Sequence, residues 1–170
     1  MRHRSSDEKQ LVASVLDRLL DDTPEQQNEL PPRPAALIND VRASVCRDLR
    51  NLLNARRRLV GASDEYPELE DSLVNYGLPD LQSYEVRDDR GHQSLCRMIQ
   101  ETIERFEPRL QDVRVTQKDL DRKTTGRQAE ARVLSFQIEA VLVVEPMQEP
   151  VLFTTTLDVS RSEFDVKAPR

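Results

Sequence analysis

Tryptophan is absent from this chain of 170 residues, and only three Tyr and four Phe make up the aromatic set. The core must therefore be mainly aliphatic, and a sugar-cleaving cleft, which gains from aromatic platforms, finds little here to build on. Glycine is almost as scarce: four residues, at positions 61, 77, 91 and 126, leave no glycine-rich loop to cradle a phosphate and no Gly-x-Ser-x-Gly elbow. His3, His92, Cys46 and Cys96 are the whole inventory of the commonest metal ligands, and their spacing matches no known site. Neither a metal, a cofactor nor a catalytic constellation is expected. Two distant cysteines make no disulfide framework, so reduced thiols in a cytoplasmic protein are the simplest reading.

Positive charge is lacking too. The formal net charge is −6, which argues against sequence-independent binding to nucleic acid, where cationic side chains must release counterions from phosphates. Of the 25 cationic residues only Lys9, Lys118, Lys123 and Lys167 are lysines. Arginine dominates, as suits interfaces that use its planar fork, although base composition produces the same bias. No apolar run reaches the ~18 residues of a membrane span, and the first residues do not read as a signal peptide. A cytoplasmic protein is expected, with no membrane insertion.

What is present is charge and helical periodicity. Charged residues make up 33% of the chain and hydrophobic ones 37%, enough for one domain with a modest core. Leu11, Val12, Val15, Leu16, Leu19 and Leu20 recur at three- and four-residue steps and predict a first helix. Four prolines between Asp21 and Pro34 stop it, so residues 1–33 read as a helical arm and linker and 34–170 as the domain. The arm's stripe packs on its own domain or on a partner. Pro34 then opens a second helix with Leu37, Ile38, Val41, Val45, Leu49, Leu52 and Leu53 on one face. The run Arg56-Arg57-Arg58 reads as that helix's basic C-terminus.

Between Gly61 and Asp89 turn residues prevail. Around Leu73-Val74-Asn75-Tyr76-Gly77-Leu78-Pro79-Asp80 the pattern is a stopped helical turn, with Gly77 left-handed and Leu78 folded back on the turn before it. Leu95, Met98, Ile99, Thr102, Ile103 and Phe106 write a third helix starting near residues 92–94. Leu110, Val113 and Val115 suggest a short strand, followed by a polar loop over residues 117–127. From Leu134 the period changes to two: residues 134–144 and 151–160 predict a hairpin whose loop is bracketed by Pro146 and Pro150, and Phe164 and Val166 a last short strand. The fold class is α+β, with helices packed on one face of a small, mainly antiparallel sheet.

One local oddity stands out. Pro108 ends the third helix and leaves Glu107 at its C-terminus, where a carboxylate opposes the helix dipole at a cost of up to about 1 kcal/mol. Either Arg109 compensates it directly, or the two side chains diverge to separate partners. Glu107 is also the first acid to test for glycoside hydrolysis.

Several segments together resemble the TssE family, the baseplate wedge subunits of bacterial type VI secretion systems, relatives of a phage contractile-tail baseplate protein labelled lysozyme-like. They are Ser14-Val15-Leu16-Asp17-Arg18-Leu19, the stretch from Ser44 to Arg56, Leu73 to Leu81, Phe106-Glu107-Pro108-Arg109-Leu110, and Val151 to Asp158, in the family's order; Ala55 departs from the family's frequent Thr. The resemblance implies a non-catalytic structural subunit in a cytoplasmic baseplate docked at the inner-membrane complex. It implies TssF, TssG and TssK as baseplate partners, with Glu107, Pro108 and Arg109 as the protein-binding residues bracing a TssF–TssG helical bundle. It also implies a sheet edge on which the contractile sheath proteins TssB and TssC add strands, supplied here by the hairpin of residues 134–144 and 151–160. The family's lysozyme-like label keeps a peptidoglycan hydrolase as the rival reading.

Overall fold

Pro34 is the first residue of helix α1, Pro34–Asn54, in the computed structural model, which describes Leu19, Glu25 and residues 34–57, 66–69, 71–81, 89–118, 133–145 and 147–168. Apart from Leu19 and Glu25, the expected N-terminal arm and linker, and most of the loop expected over 117–127, lie outside the described residues. Along α1 the anticipated stripe is the buried one, with Val41, Val45, Leu49, Leu52 and Leu53 all inside the core.

The helix stops at Asn54, ahead of the arginine run that was read as its terminus. Arg56 instead forms a parallel bridge with Leu78, the Arg57 N–H donates to the Leu78 carbonyl at 2.8 Å, and the Leu78 N–H donates to the Ala55 carbonyl at 2.9 Å. Gly77 makes this approach possible. Its φ is +101°, and a Cβ there would stand 2.3 Å from the Ala55 oxygen. Leu78 accordingly enters the core at 2% exposure, while Leu73 of the short 3-10 turn Leu73–Asn75 is 84% exposed.

Helix α2 spans Asp89–Phe106, a turn longer at its start than expected because its first residues carry no apolar side chain to mark the stripe. Leu95, Ile99 and Ile103 are buried, and the Thr102 hydroxyl, also buried, donates to the Met98 carbonyl at 2.8 Å. After α2 the chain turns into β1, Leu110–Lys118, and continues through β2, Val133–Val144, β3, Met147–Asp158, and β4, Glu163–Lys167. The sheet is an antiparallel meander in the order β1-β2-β3-β4. Helix α1 packs over β4 and α2 over β1, so both helices cover one face.

Strand β1 has apolar residues at 110, 113 and 115, a spacing that breaks period two. A bulge between Gln111 and Arg114 reconciles it: Asp112 takes φ +53°, and Leu110, Val113 and Val115 all reach the core. The strand then runs to Lys118 opposite Ser135, so Gln117 belongs to the sheet and not to the loop. Pro150 lies within β3 opposite Val141, which corrects the loop expected between Pro146 and Pro150; β2 and β3 pair as far as Val144 opposite Met147. A proline is tolerated there because β4 pairs with β3 only from Thr154 to Asp158, leaving Pro150 on a locally unpaired edge.

The hairpin of residues 134–144 and 151–160 lies between β1 and β4, but β4 covers β3 only from Thr154 to Asp158, so residues 147–153 of the hairpin keep an outer edge that no described strand pairs. The other end of that side, β4, is not an open edge. Asn54 donates to the Phe164 carbonyl at 2.9 Å and accepts from the Phe164 N–H at 2.8 Å, while Arg50 donates to the Val166 carbonyl at 2.9 Å.

Candidate protein-binding site

Helix α2 ends where the sequence places its stop, and the turn that follows is tight. The Glu107 N–H still donates to the Ile103 carbonyl at 2.8 Å, and the Glu107 carbonyl accepts from the Leu110 N–H at 3.0 Å. Pro108 stands exposed at the apex while Leu110 enters the core. Between these two, the backbone carbonyl of Arg109 accepts from the Val143 N–H at 2.8 Å, tying the turn to β2.

Glu107 is 5% exposed. A carboxylate buried at a helix C-terminus requires compensation, and Arg109 supplies it in fork-to-fork fashion. Nε donates to Oε1 and Nη2 to Oε2, each at 2.6 Å. Direct pairing is therefore realised, and the alternative in which the two side chains diverge is not. A second carboxylate, sequence-distant, joins them: Arg109 Nη2 also donates to Oδ2 of Asp48 on α1 at 2.6 Å. The Glu107 hydrogen bond, reinforced by Asp48 and only partly opposed by burial, makes Arg109 hold its proton still more firmly than a free guanidinium does.

Around this core lie Ser44, one helical turn before Asp48, and Arg47. Arg109 Nη1 reaches the Ser44 hydroxyl at 3.5 Å and Arg47 Nη2 reaches it at 3.3 Å, while Arg47 Nε stands 3.6 Å from Asp48 Oδ1. Tyr76 closes the side facing the 71–81 segment, its ring meeting Phe106 edge-on at 5.4 Å. Burial, and then the negative charges of Asp48 and Glu107, push its phenol above the ordinary range. Asp48, Ser44 and Tyr76 were not anticipated as members of the site. Ser44 and Asp48 did share a helix face in the sequence, but nothing there paired that face with Arg109.

Elsewhere an open groove of about 690 Å³ lies between α2 and β1 and includes His92, Cys96, Arg97 and Glu101. Among the described residues no three His, Cys, Asp or Glu side chains converge on a metal position, and no helix is long and apolar enough to cross a membrane.

A two-helix, four-stranded α+β unit, with a buried carboxylate and arginine clamped at a helix stop, is a scaffold with a fixed polar corner. The family model described as baseplate wedge protein gp25 matches residues 39–147, more than half of the chain, and the chain belongs to that family. Among solved structures, a chain of "The baseplate complex from the type VI secretion system" is 19% identical, with 69% of this chain and 94% of that chain covered at a TM-score of 0.45. No curated protein sequence matches the chain.

Proposed function

We propose that the chain is a non-catalytic structural subunit of a type VI secretion baseplate, joined to a TssF–TssG helical bundle through Glu107, Pro108 and Arg109. The observation that supports this most directly is the bidentate Glu107–Arg109 pair, held against α1 at an exposed proline turn inside the family-matched region. Such a corner is preorganised, so a partner docking on it need not order two long side chains first. A glycoside hydrolase acid must be free to hand a proton to a leaving group. Both Glu107 oxygens instead accept from Arg109, so this site does not favour the peptidoglycan hydrolase reading.

The same reading assigns residues 34–170 to the wedge domain and residues 1–33 to an arm that docks on this domain or on a neighbour. It puts the protein in the cytoplasm, in a baseplate docked at the inner-membrane complex, with TssK among its neighbours. For templating a sheath of TssB and TssC the edges suited to strand addition are β1 and the 147–153 part of β3, since α1 side chains occupy the outer backbone groups of β4.

Co-purification with TssF and TssG tests the proposal. Arg109→Gln keeps one donor for Glu107 but loses the charge and the fork, so thermal unfolding is measured beside it, and the folded variant should recover little of the complex. Wedge recovery and sheath formation at wild-type levels in that variant would remove the segment from the interface. Release of peptidoglycan fragments by the purified chain, lost in Glu107→Gln, would overturn the structural reading altogether.

A further inference from the structure

Arg109 carries five N–H groups, and three are spent inside the domain: Nε on Glu107 Oε1, and Nη2 on both Glu107 Oε2 and Asp48 Oδ2. The two carboxylates do different work. Glu107 belongs to the same turn as Arg109, so their pair fixes the guanidinium only relative to that turn. Asp48 lies on α1, 61 positions earlier, and is the anchor that fixes the plane relative to the rest of the domain. What is left over is Nη1, whose one contact among the described residues is the 3.5 Å approach to the Ser44 hydroxyl, at the outer limit of a hydrogen bond. The Arg109 side chain is 27% exposed, so this edge remains within reach of solvent.

We infer that Asp48 is a positioning residue of the protein-binding segment: it locks the Arg109 guanidinium to α1 so that the Nη1 edge, beside exposed Pro108, is what a partner meets. The inference rests on the reading that this segment binds a partner, and it adds to that reading the chemistry of the contact. Glu107 and Asp48 already meet the charge of Arg109, so the guanidinium does not require a further anion. Its remaining offer is a directed N–H donor, which fits an uncharged acceptor such as a backbone carbonyl at the end of a partner helix.

The test is a titration of the full chain onto the TssF–TssG complex, with thermal unfolding of each variant in parallel. Alanine is the best helix former, so Asp48→Ala leaves α1 intact while removing the acceptor. It should weaken association roughly tenfold, and Asp48→Asn, which retains an oxygen for Nη2, should restore most of it. In an Arg109→Gln background Asp48→Ala should weaken association no further, because Asp48 acts only through Arg109. Wild-type affinity for Asp48→Ala, or losses that simply add in the double variant, would overturn the role of Asp48 while leaving the segment in the interface. Wild-type affinity for Arg109→Gln would overturn the segment's role, and that of Asp48 with it. A readout without any partner is the nitrogen-15 spectrum of arginine-labelled chain. The guanidinium signals that vanish in Arg109→Lys should rotate slowly in the wild type and measurably faster in Asp48→Ala, where the Glu107 fork alone restrains them, and unchanged rotation would likewise count against the lock.

Discussion

Glu107 shows how a residue unfavourable by local rules becomes the centre of a network. At the end of α2 its charge opposes the dipole, and at 5% exposure it has also given up water. Both penalties are offset by one guanidinium, so removing Arg109 should be expensive. Arg109→Ala leaves Glu107 buried without its cation and Asp48 with only the 3.6 Å contact to Arg47, and a loss of about 3 kcal/mol is expected, read as a lower urea midpoint at unchanged slope. Removing both charges, as Glu107→Gln with Arg109→Met, should recover part of that loss, since no buried charge is left stranded. Gly77 is the other residue that tolerates no replacement. With φ at +101° and the Ala55 carbonyl 2.3 Å from where a Cβ would sit, Gly77→Ala must break the bridge from Leu78 to Arg56. A loss of about 2–4 kcal/mol is expected, seen as a lower melting temperature.

At the scale of elements, each helix carries a cysteine that reports its packing. Cys46 on α1 donates to the Val166 carbonyl of β4 at 3.4 Å, and Cys96 on α2 borders the groove beside β1. Burial pushes both thiols above the ordinary value of 9.0. Each therefore holds its proton more tightly folded than unfolded, so this contribution to stability is whole below pH 9 and is lost as pH climbs through the folded value. Both thiols should react slowly with a disulfide reagent at pH 8 and faster above pH 9, while urea should release them together; fast reaction in the native chain at pH 8 would mean that the helices do not sit as described. The helices themselves were legible in the sequence, because their three- and four-residue spacing is a local signal that packing on a sheet leaves unchanged. So were the central strands and the last one, through their period of two. The order of strands was not, because alternation says which face is buried and nothing about which neighbour pairs; hence the hairpin read as an edge is flanked by β1 and, along the Thr154 to Asp158 part of β3, by β4. The site was half legible for the same reason. Glu107, Pro108 and Arg109 are adjacent in the chain, whereas Asp48 and Tyr76 join them only through the tertiary fold.

For the whole molecule, the buried cluster runs from Val41 to Val166, while the family match ends at residue 147, the first residue of β3. The two facts separate what marks the family from what closes the core. Phe153 and Leu157 of β3 and Phe164 and Val166 of β4 lie under α1 at no more than 2% exposure, and Asn54 and Arg50 bind the β4 backbone directly. A chain cut after Pro146 would keep nearly all of the matched region yet expose Leu142, Ile138 and the stripe of α1 to water. Burying one such side chain is worth about 1.5–3 kcal/mol, and losing several at once exceeds the 5–15 kcal/mol by which domains are stable. That fragment should show no cooperative unfolding transition and should aggregate on expression. A chain of residues 34–170 retains every member of the cluster and should unfold cooperatively within about 5 °C of the full chain, a shift equivalent to roughly 1 kcal/mol at this size. A much larger drop would mean that residues 1–33 cover the domain in cis. An unchanged melting temperature together with a weakened wedge complex would mean instead that the arm's apolar stripe is used on a partner.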